Sequence, residues 1–257
     1  MSGSPDISFG ILACDVLEYE VLARVNSLGL QPLALRFLPM GQHDYPSLLR
    51  ENLQKAVTEM EEAGCRRIIF VYGLCSNSIL GITARQAELV FPRAHDCITL
   101  FLGSKERYSA IQKAEPGTYW FSPGWCRGKR VPGPDHMTRL EAEYREKFDD
   151  EEDVEYLMEV EREKYAHYKV AAYTDLGDGP VEESIKDTRV AADFFGMEFV
   201  HHEGDDSLLR ELLTGPWDDE RYLVVPPGQT AASTADVSII RCAACKSCQG
   251  TDSVSGS

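Results

Sequence analysis

The sequence lacks the long apolar run that a membrane-spanning helix needs. Such a helix takes roughly 20 consecutive apolar residues, and no stretch of the 257 residues reaches that length. Residues 1–6 carry no basic stretch, and no long apolar segment follows them, as a secretory signal peptide would require. The sequence therefore predicts a cytoplasmic protein with no membrane partner.

The chain also has no excess of basic over acidic residues. The chain has 42 acidic and 26 basic residues, which gives a formal net charge of −16. Nucleic-acid binding needs a basic face, so we expect no nucleic-acid partner. Much of the acid lies between residues 141 and 163, where it is typical of solvated helix faces.

Three widespread motifs of binding and catalysis are absent. The sequence contains no G-x-G-x-x-G, no G-x-x-x-x-G-K-[ST] and no G-x-S-x-G. It therefore carries no motif for binding a dinucleotide or a phosphate loop, and none for serine hydrolysis.

Strand-like and helix-like segments alternate along the whole chain. Ile7–Ala13 and Arg67–Tyr72 are continuous apolar runs, typical of strands buried on both faces. Tyr45–Ala63 has apolar residues at helical spacing. This order predicts an α/β fold, Rossmann-like, with a mainly parallel sheet, helices on both faces and a helical insertion near residues 136–166.

The predicted organisation is an α/β domain over residues 1–228. It forms either one sheet or two βα lobes, at about 1–130 and 167–228, joined by the helical segment. After residue 228 the composition turns to Thr, Ala, Ser and Gly, which is typical of a mobile segment. We therefore predict a flexible, Cys-rich tail over residues 229–257.

Cysteine, by contrast, is plentiful, with eight in the chain. In a reducing compartment, clustered cysteines more often bind metal or carry redox chemistry than form disulfides. Cys14, Cys75 and Cys97 each follow a predicted strand, and His95 lies two residues before Cys97. The carboxyl ends of parallel strands are where open α/β sheets bind ligands. The sequence thus predicts that Cys14, Cys75, His95 and Cys97 hold zinc or an iron–sulfur cluster.

Several interpretations of this group stay open. Three thiolates and a histidine make a closed zinc site, whereas fewer ligands leave a position free, as in catalytic zinc. Three thiolates also hold a four-iron cluster with one iron left free. The alternatives without metal are buried thiols that fill the core, and nucleophilic catalysis by Cys75 with His95 as its base.

A second group of cysteines lies near the end of the sequence. Cys242, Cys245 and Cys248 have the C-x₂-C-x₂-C spacing of the first three ligands in bacterial ferredoxins, without the following cysteine and proline. This spacing predicts a segment that binds an iron–sulfur cluster or zinc, or that exchanges disulfides. Of the others, Cys65 is expected to be structural, and Cys126 is a weaker candidate for the strand-end site.

Five short stretches carry a resemblance to a known family. They are Tyr72–Cys75 (YGLC), Pro92–Cys97 (PRAHDC), Leu102–Tyr108 (LGSKERY), Pro116–Tyr119 (PGTY) and Val225–Gly228 (VPPG). Together they resemble domain-of-unknown-function family 1638 over about residues 7–228. The activity of that family is not settled, so the resemblance implies no catalytic residues. Its association with anaerobes and with corrinoid-dependent methyl transfer implies one-carbon chemistry and a corrinoid or redox protein as partner.

The spacing of His95 and Cys97 is similar to that of the zinc ligand pair in methylcobamide:thiol methyltransferases, where zinc activates a thiol. Those enzymes are barrels, so the similarity is one of ligand spacing and not of fold. The predicted function is a metal-dependent transferase or lyase that acts on a small-molecule substrate in small-thiol or one-carbon metabolism. The alternatives are a non-catalytic metal or iron–sulfur carrier that acts through the Cys-rich tail, and a redox-sensing module.

Overall fold

The computed structural model describes residues 7–127 and 131–244. Its strands are β1 (Phe9–Cys14), β2 (Ala34–Leu38), β3 (Arg67–Val71), β4 (Glu88–Pro92), β5 (Thr118–Phe121), β6 (Val170–Asp175), β7 (Glu198–Glu203), β8 (Tyr222–Val225), β9 (Gln229–Ser233) and β10 (Ile240–Ala244). Its helices are α1 (Glu18–Ser27), α2 (Pro46–Glu62), α3 (Ile98–Leu102), α4 (Lys105–Ala114), α5 (Pro123–Arg127), α6 (Pro134–Lys147), α7 (Glu151–Glu163), α8 (Val181–Phe195) and α9 (Ser207–Thr214). The chain divides into two compact units, one formed by residues up to 105 and from 205 onward, the other by residues 106–204.

The first unit is built on a five-stranded sheet in the order β2-β1-β3-β4-β8. Its first four strands are parallel, and β8 runs antiparallel to β4. The chain moves outward from β1 to β2 and then returns past β1 to β3, so the switch point of the sheet lies between β1 and β3. The predicted mainly parallel sheet is confirmed, and the antiparallel edge strand makes it a mixed one.

The central strands of this sheet are buried on both faces. Ile11, Leu12 and Ala13 are successive residues of β1 and are all fully buried, although successive side chains point to opposite faces. Helix α2 contacts β1 and β2, while α9 contacts β3, β4 and α1. Right-handed crossovers from β1 to β2 and from β2 to β3 put α1 and α2 on opposite faces. Among the described residues, every helix is too short or too polar to cross a lipid bilayer.

The second unit contains a three-stranded parallel sheet in the order β5-β6-β7. Helix α8 contacts β6 and β7, and Phe121 and Tyr173 lie in the core between them. The acidic stretch forms the two helices α6 and α7, which pack on each other around Met137, Val154 and Met158.

This division differs from the two predicted lobes. The prediction put boundaries near residues 130 and 167, on either side of the helical segment. In the structure β5 pairs with β6 and not with β4, so the second sheet begins before the helices α6 and α7. Because β8 returns to pair with β4, the second unit is a continuous insertion between two parts of the first.

Residues 229–244 also differ from the predicted flexible tail. Strands β9 and β10 form an antiparallel hairpin, and Ile239 and Ile240 are buried. The backbone N–H of Gly81 donates to the carbonyl of Ala231 at 3.2 Å. The hairpin is therefore held by backbone pairing and two buried residues, which the small, polar composition of this stretch did not indicate. The rest of the predicted tail, with Cys245 and Cys248, lies outside the described residues.

A buried arginine links the hairpin to the main sheet. Arg93 directly follows β4 and is 9% exposed. Its Nε donates to the carbonyls of Asp219 and Tyr222, at 2.8 and 3.1 Å. Its Nη1 donates to the carbonyls of Ser238, at 2.8 Å, and Ile240. One guanidinium thus joins the end of β4 to the chain before β8 and to the start of β10.

Candidate metal centre

Three of the predicted ligands meet in the first unit. Cys14 is the last residue of β1, Cys75 follows β3, and Cys97 lies between β4 and α3. The sulfur atoms of Cys75 and Cys97 are 4.0 Å apart, and Cys97 is also the neighbour that most raises the pKa of the Cys14 thiol. Cys97 therefore touches Cys75 and lies near Cys14. We call Cys14, Cys75 and Cys97 the thiol cluster.

The thiol cluster is almost inaccessible to water. Cys14 is 1% exposed, and Cys75 and Cys97 are each 7% exposed. The hydrogen bond with Cys97, together with burial, raises the pKa of the Cys14 thiol well above its usual value, and the same causes raise the pKa of Cys75. Both thiols are thus protonated at neutral pH. A metal ion that binds them has to displace their protons.

Tyr72 adjoins the thiol cluster and is a candidate that the sequence did not single out. Its hydroxyl donates to the carbonyl of Ala13 at 3.0 Å, which ties the end of β3 to the end of β1. Burial, and then the nearby thiols of Cys14, Cys97 and Cys75, raise the pKa of this hydroxyl. In the sequence Tyr72 looks like the last apolar residue of a strand. Its hydroxyl group, directly before Gly73, is the sequence feature that could have indicated a role in the site.

Two loops meet backbone to backbone beside the cluster. The N–H of Cys75 donates to the carbonyl of His95 at 3.1 Å. Gly73 lies so close to the neighbouring loop that a Cβ added there would be 2.5 Å from the Cα of Asp96. Real Cβ atoms do not tolerate this distance, so the approach of the two loops requires glycine at residue 73.

We expect Gly73→Ala to lower the free energy of unfolding by about 3 kcal/mol, because the new Cβ meets backbone atoms that have to shift. Urea denaturation measures this loss. Gly81→Ala is the matched control: nothing lies within 4 Å of a Cβ there, and the backbone has φ +81°. Its cost is that of a left-handed alanine, about 1 kcal/mol. Equal losses in the two variants would show that the approach to Asp96 is unimportant.

Cys75 opens a left-handed turn made of three residues that are not glycine. The φ angles of Cys75, Ser76 and Asn77 are 44°, 55° and 66°, and each such residue costs on the order of 1–3 kcal/mol. Ser78 offsets part of this cost, since its hydroxyl donates to the carbonyl of Cys75 at 2.7 Å. Ser76 and Asn77 are exposed, so the turn brings a buried thiol within one residue of solvent.

His95, the fourth predicted ligand, differs from the thiols because its side chain is exposed. It contributes its carbonyl to the site, as the acceptor for Cys75. Within residues 7–127 and 131–244, no group of three or more Cys, His, Asp or Glu side chains has the arrangement of a preformed metal site. The role of His95 as a ligand stays a prediction. A metal held by the thiol cluster requires its side chains to turn toward the ion.

Cys242 is the one cysteine of the C-terminal group within the described residues, and it lies on a strand that leads away from the thiol cluster. β10 begins next to Arg93, beyond the carboxyl end of β4, and runs back until Ala244 pairs with Gln229. The backbone N–H of Gly228, the residue before Gln229, donates to the carbonyl of Ala84, which precedes β4. Cys242 lies within β10, and its thiol donates to the side chain of Gln229 at 2.8 Å. Strand β10 thus runs away from the thiol cluster, and the structure does not bring Cys242 into it.

Cys65 and Cys126 are core residues. Cys65 is fully buried, and a Cβ added at Gly10 would lie 3.0 Å from its sulfur. Cys126 lies in the second unit, where its thiol donates to the carbonyl of Ser184 at 3.7 Å. Burial raises the pKa of Cys126 to about 12. The structural role predicted for Cys65 agrees with its position, and Cys65 is a buried reference for experiments on the cluster.

The loops around the cluster, YGLC and PRAHDC, are two of the five stretches that carry the family resemblance. The family described as "Protein of unknown function (DUF1638)" matches residues 37–213. The chain belongs to the DUF1638 family. The match includes Cys75, His95 and Cys97, while Cys14 and the C-terminal cysteines lie outside it. No curated protein matches the chain, and no solved structure does. A function for this DUF1638 member therefore has to be argued from its site.

Proposed function

We propose that the thiol cluster binds zinc or an iron–sulfur cluster, and that the protein is an enzyme of small-thiol or one-carbon metabolism. The observation that carries the proposal is the 4.0 Å contact between the sulfur atoms of Cys97 and Cys75, with the buried thiol of Cys14 near Cys97. Zinc–sulfur bonds of about 2.3 Å in a tetrahedral site put two ligand sulfurs about 3.8 Å apart. The 4.0 Å between Cys75 and Cys97 fits two ligands of one ion.

The donor set limits the choice of metal. Thiolates are soft ligands that suit zinc, copper(I) and iron–sulfur centres, whereas magnesium and calcium take oxygen ligands. Iron–sulfur clusters are held by the same thiolate chemistry. Cys14, Cys75 and Cys97 would supply three ligands, and the side chain of His95 would have to turn inward to supply a fourth.

If the three thiolates alone bind the ion, with the His95 side chain exposed as it is in the structure, the fourth position stays open, and this open position is the reason for proposing catalysis. A catalytic zinc keeps one position for a substrate, and a thiol bound to a metal loses its proton. The thiolate is the nucleophilic form of a thiol, so a small thiol held there is ready to accept a methyl or another carbon group. A metal-dependent transferase is the reaction class we propose, with a corrinoid protein that supplies the group or a redox protein that supplies electrons as the partner; a lyase would use the same site.

The position of the cluster in the sheet supports this proposal. In open α/β sheets of the Rossmann-like kind, ligands bind outside the carboxyl ends of the strands at the switch point. Cys14 and Cys75 follow β1 and β3, the two strands that flank the switch point. We propose that substrate enters past the exposed residues Ser76 and Asn77. The free thiols of the cluster suit a reducing compartment such as the cytoplasm.

A second candidate is a carrier that passes a metal or an iron–sulfur cluster to a partner through Cys242, Cys245 and Cys248. Cys242 is partly exposed, and β10 carries it away from the thiol cluster. A ligand in that position is open to exchange with a partner protein. In this second proposal the thiol cluster and the C-terminal cysteines hold separate centres.

We expect anaerobically purified protein to contain a metal centre. Colourless protein with zinc favours the transferase, and brown protein with iron and acid-labile sulfide favours an iron–sulfur centre. The measurement is metal and sulfide content. A variant with Cys242, Cys245 and Cys248 all changed to serine separates the two groups, since any metal it keeps belongs to the thiol cluster. If this variant takes up neither zinc nor iron with sulfide, the proposal for the thiol cluster is wrong.

A further inference from the structure

The sulfur contacts of the thiol cluster also have a consequence that does not depend on metal. We propose that Cys97 forms a reversible disulfide with Cys75 in the metal-free protein, and that Cys14 is its substitute partner. The cluster is then a dithiol–disulfide couple with Cys97 as the shared member.

The geometry brings this bond within reach of side-chain rotation. The two sulfur atoms are 4.0 Å apart, and a disulfide is about 2.05 Å long, so they have to approach by about 2 Å. The loops that carry them are already joined, through the bond from the N–H of Cys75 to the carbonyl of His95 and through the close packing of Gly73 on Asp96. The backbones of the two loops are thus already in contact beside the cysteine pair.

The contacts also predict which pairs form. Cys97 is 4.0 Å from Cys75, sulfur to sulfur, and it is the thiol whose proximity acts most strongly on Cys14. Cys75–Cys97 is therefore the expected disulfide, and Cys14–Cys97 is expected when Cys75 is replaced. Without Cys97 the cluster loses the sulfur that both partners face.

Diamide is a suitable oxidant because it is small and neutral. One thiolate of the pair adds to its N=N bond, and the second sulfur then displaces the hydrazine from the first, which forms the S–S bond. The two thiols lose two electrons and two protons, and the diamide that takes them leaves as a hydrazine. Dithiothreitol reverses the oxidation by thiol–disulfide exchange.

The test uses full-length protein stripped of metal by a chelator, oxidised with diamide, denatured and alkylated. Mass spectrometry of the peptides is expected to find Cys75 linked to Cys97, with Cys65 alkylated, and dithiothreitol is expected to remove the link. Cys14→Ser should keep the link, and Cys75→Ser should move it to Cys14–Cys97. Cys97→Ser should leave the other two cysteines of the cluster alkylated.

Three results would overturn the proposal: no disulfide in the cluster, a Cys14–Cys75 link in Cys97→Ser at the yield of the native link, or Cys97 bound to a C-terminal cysteine instead. Because the assay contains no metal, it can succeed when the metal measurement fails, and the reverse also holds. The two proposals for the thiol cluster are therefore decided separately.

Discussion

Cys97→Ser is expected to weaken metal binding by the thiol cluster strongly while the protein stays folded. Cys97 touches Cys75 and lies near Cys14, so its loss leaves at most two of the three thiolate ligands. A hydroxyl is a hard ligand and replaces a thiolate poorly on zinc or iron. Structural zinc sites with four ligands bind with about 10–16 kcal/mol, which is about 3 kcal/mol for each ligand. The affinity should thus fall at least about 100-fold.

The measurement is competition for zinc with a coloured chelator, together with thermal unfolding. We expect the midpoint of unfolding to shift by only a few degrees, since a chain of this size has enough core to fold without a metal. Cys75→Ser should lose affinity as Cys97→Ser does. Cys65→Ser is the control, because Cys65 is equally buried but lies outside the cluster. If it binds zinc no better than Cys97→Ser, the cluster is not the metal site.

Arg93→Ala is expected to cost more stability than Cys97→Ser or Gly73→Ala. Four carbonyl groups, from Asp219, Tyr222, Ser238 and Ile240, accept bonds from this one buried side chain. Removing it leaves buried acceptors without a donor, at about 1–3 kcal/mol each where water cannot replace it. We expect a total loss of about 3–5 kcal/mol, which is about 10 °C in the unfolding midpoint.

Urea denaturation and amide hydrogen exchange measure this effect. Exchange should become faster across residues 229–244, because Arg93 joins that hairpin to the sheet. Arg36→Ala is the control: Arg36 is exposed and makes a long bond of 3.4 Å to the carbonyl of Leu35, so its loss should stay within about 0.5 kcal/mol. Similar losses for the two variants would mean that the four carbonyls find other partners.

The position of the cysteines was predictable because it follows from a simple rule of α/β folds. Apolar strands in alternation with helices indicate a parallel sheet, and a cysteine directly after such a strand lies at its carboxyl edge. Cys14, Cys75 and Cys97 obey this rule. The orientation of His95 did not follow from the rule, since spacing in sequence does not determine which way a loop side chain turns.

In a short stretch before β4, hydrogen bonds to side chains of another helix replace the helical bonds that the local sequence favours. The residue types of 83–87 (TARQA) predict a short helix, whereas the segment is irregular in the structure. Glu61 of α2 accepts the backbone N–H groups of Arg85, Gln86 and Ala87 at 2.6–3.1 Å. Gln54 accepts the N–H of Thr83 at 3.0 Å. Because these donors are satisfied by a distant helix, the segment has no need of helical bonds.

Pairing between strands that are far apart in the sequence could not be predicted either. The β9–β10 hairpin depends on Arg93, more than a hundred residues away, and on backbone pairing that has no side-chain signature. The extent of the second unit likewise depends on which strand pairs with β5. Local patterns determine the elements of this fold, and long-range contacts determine how they are grouped.

The return of β8 to β4 has a consequence for how the protein is made on the ribosome. β8 is synthesised about 130 residues after β4, which at roughly 5–20 residues per second is a delay on the order of 10 s. The inserted unit is continuous and can fold during this time, while the edge of β4 has no neighbour. An unpaired strand edge is a template for other chains. The nascent protein thus passes through an aggregation-prone stage, which ends when β8 emerges and pairs with that edge.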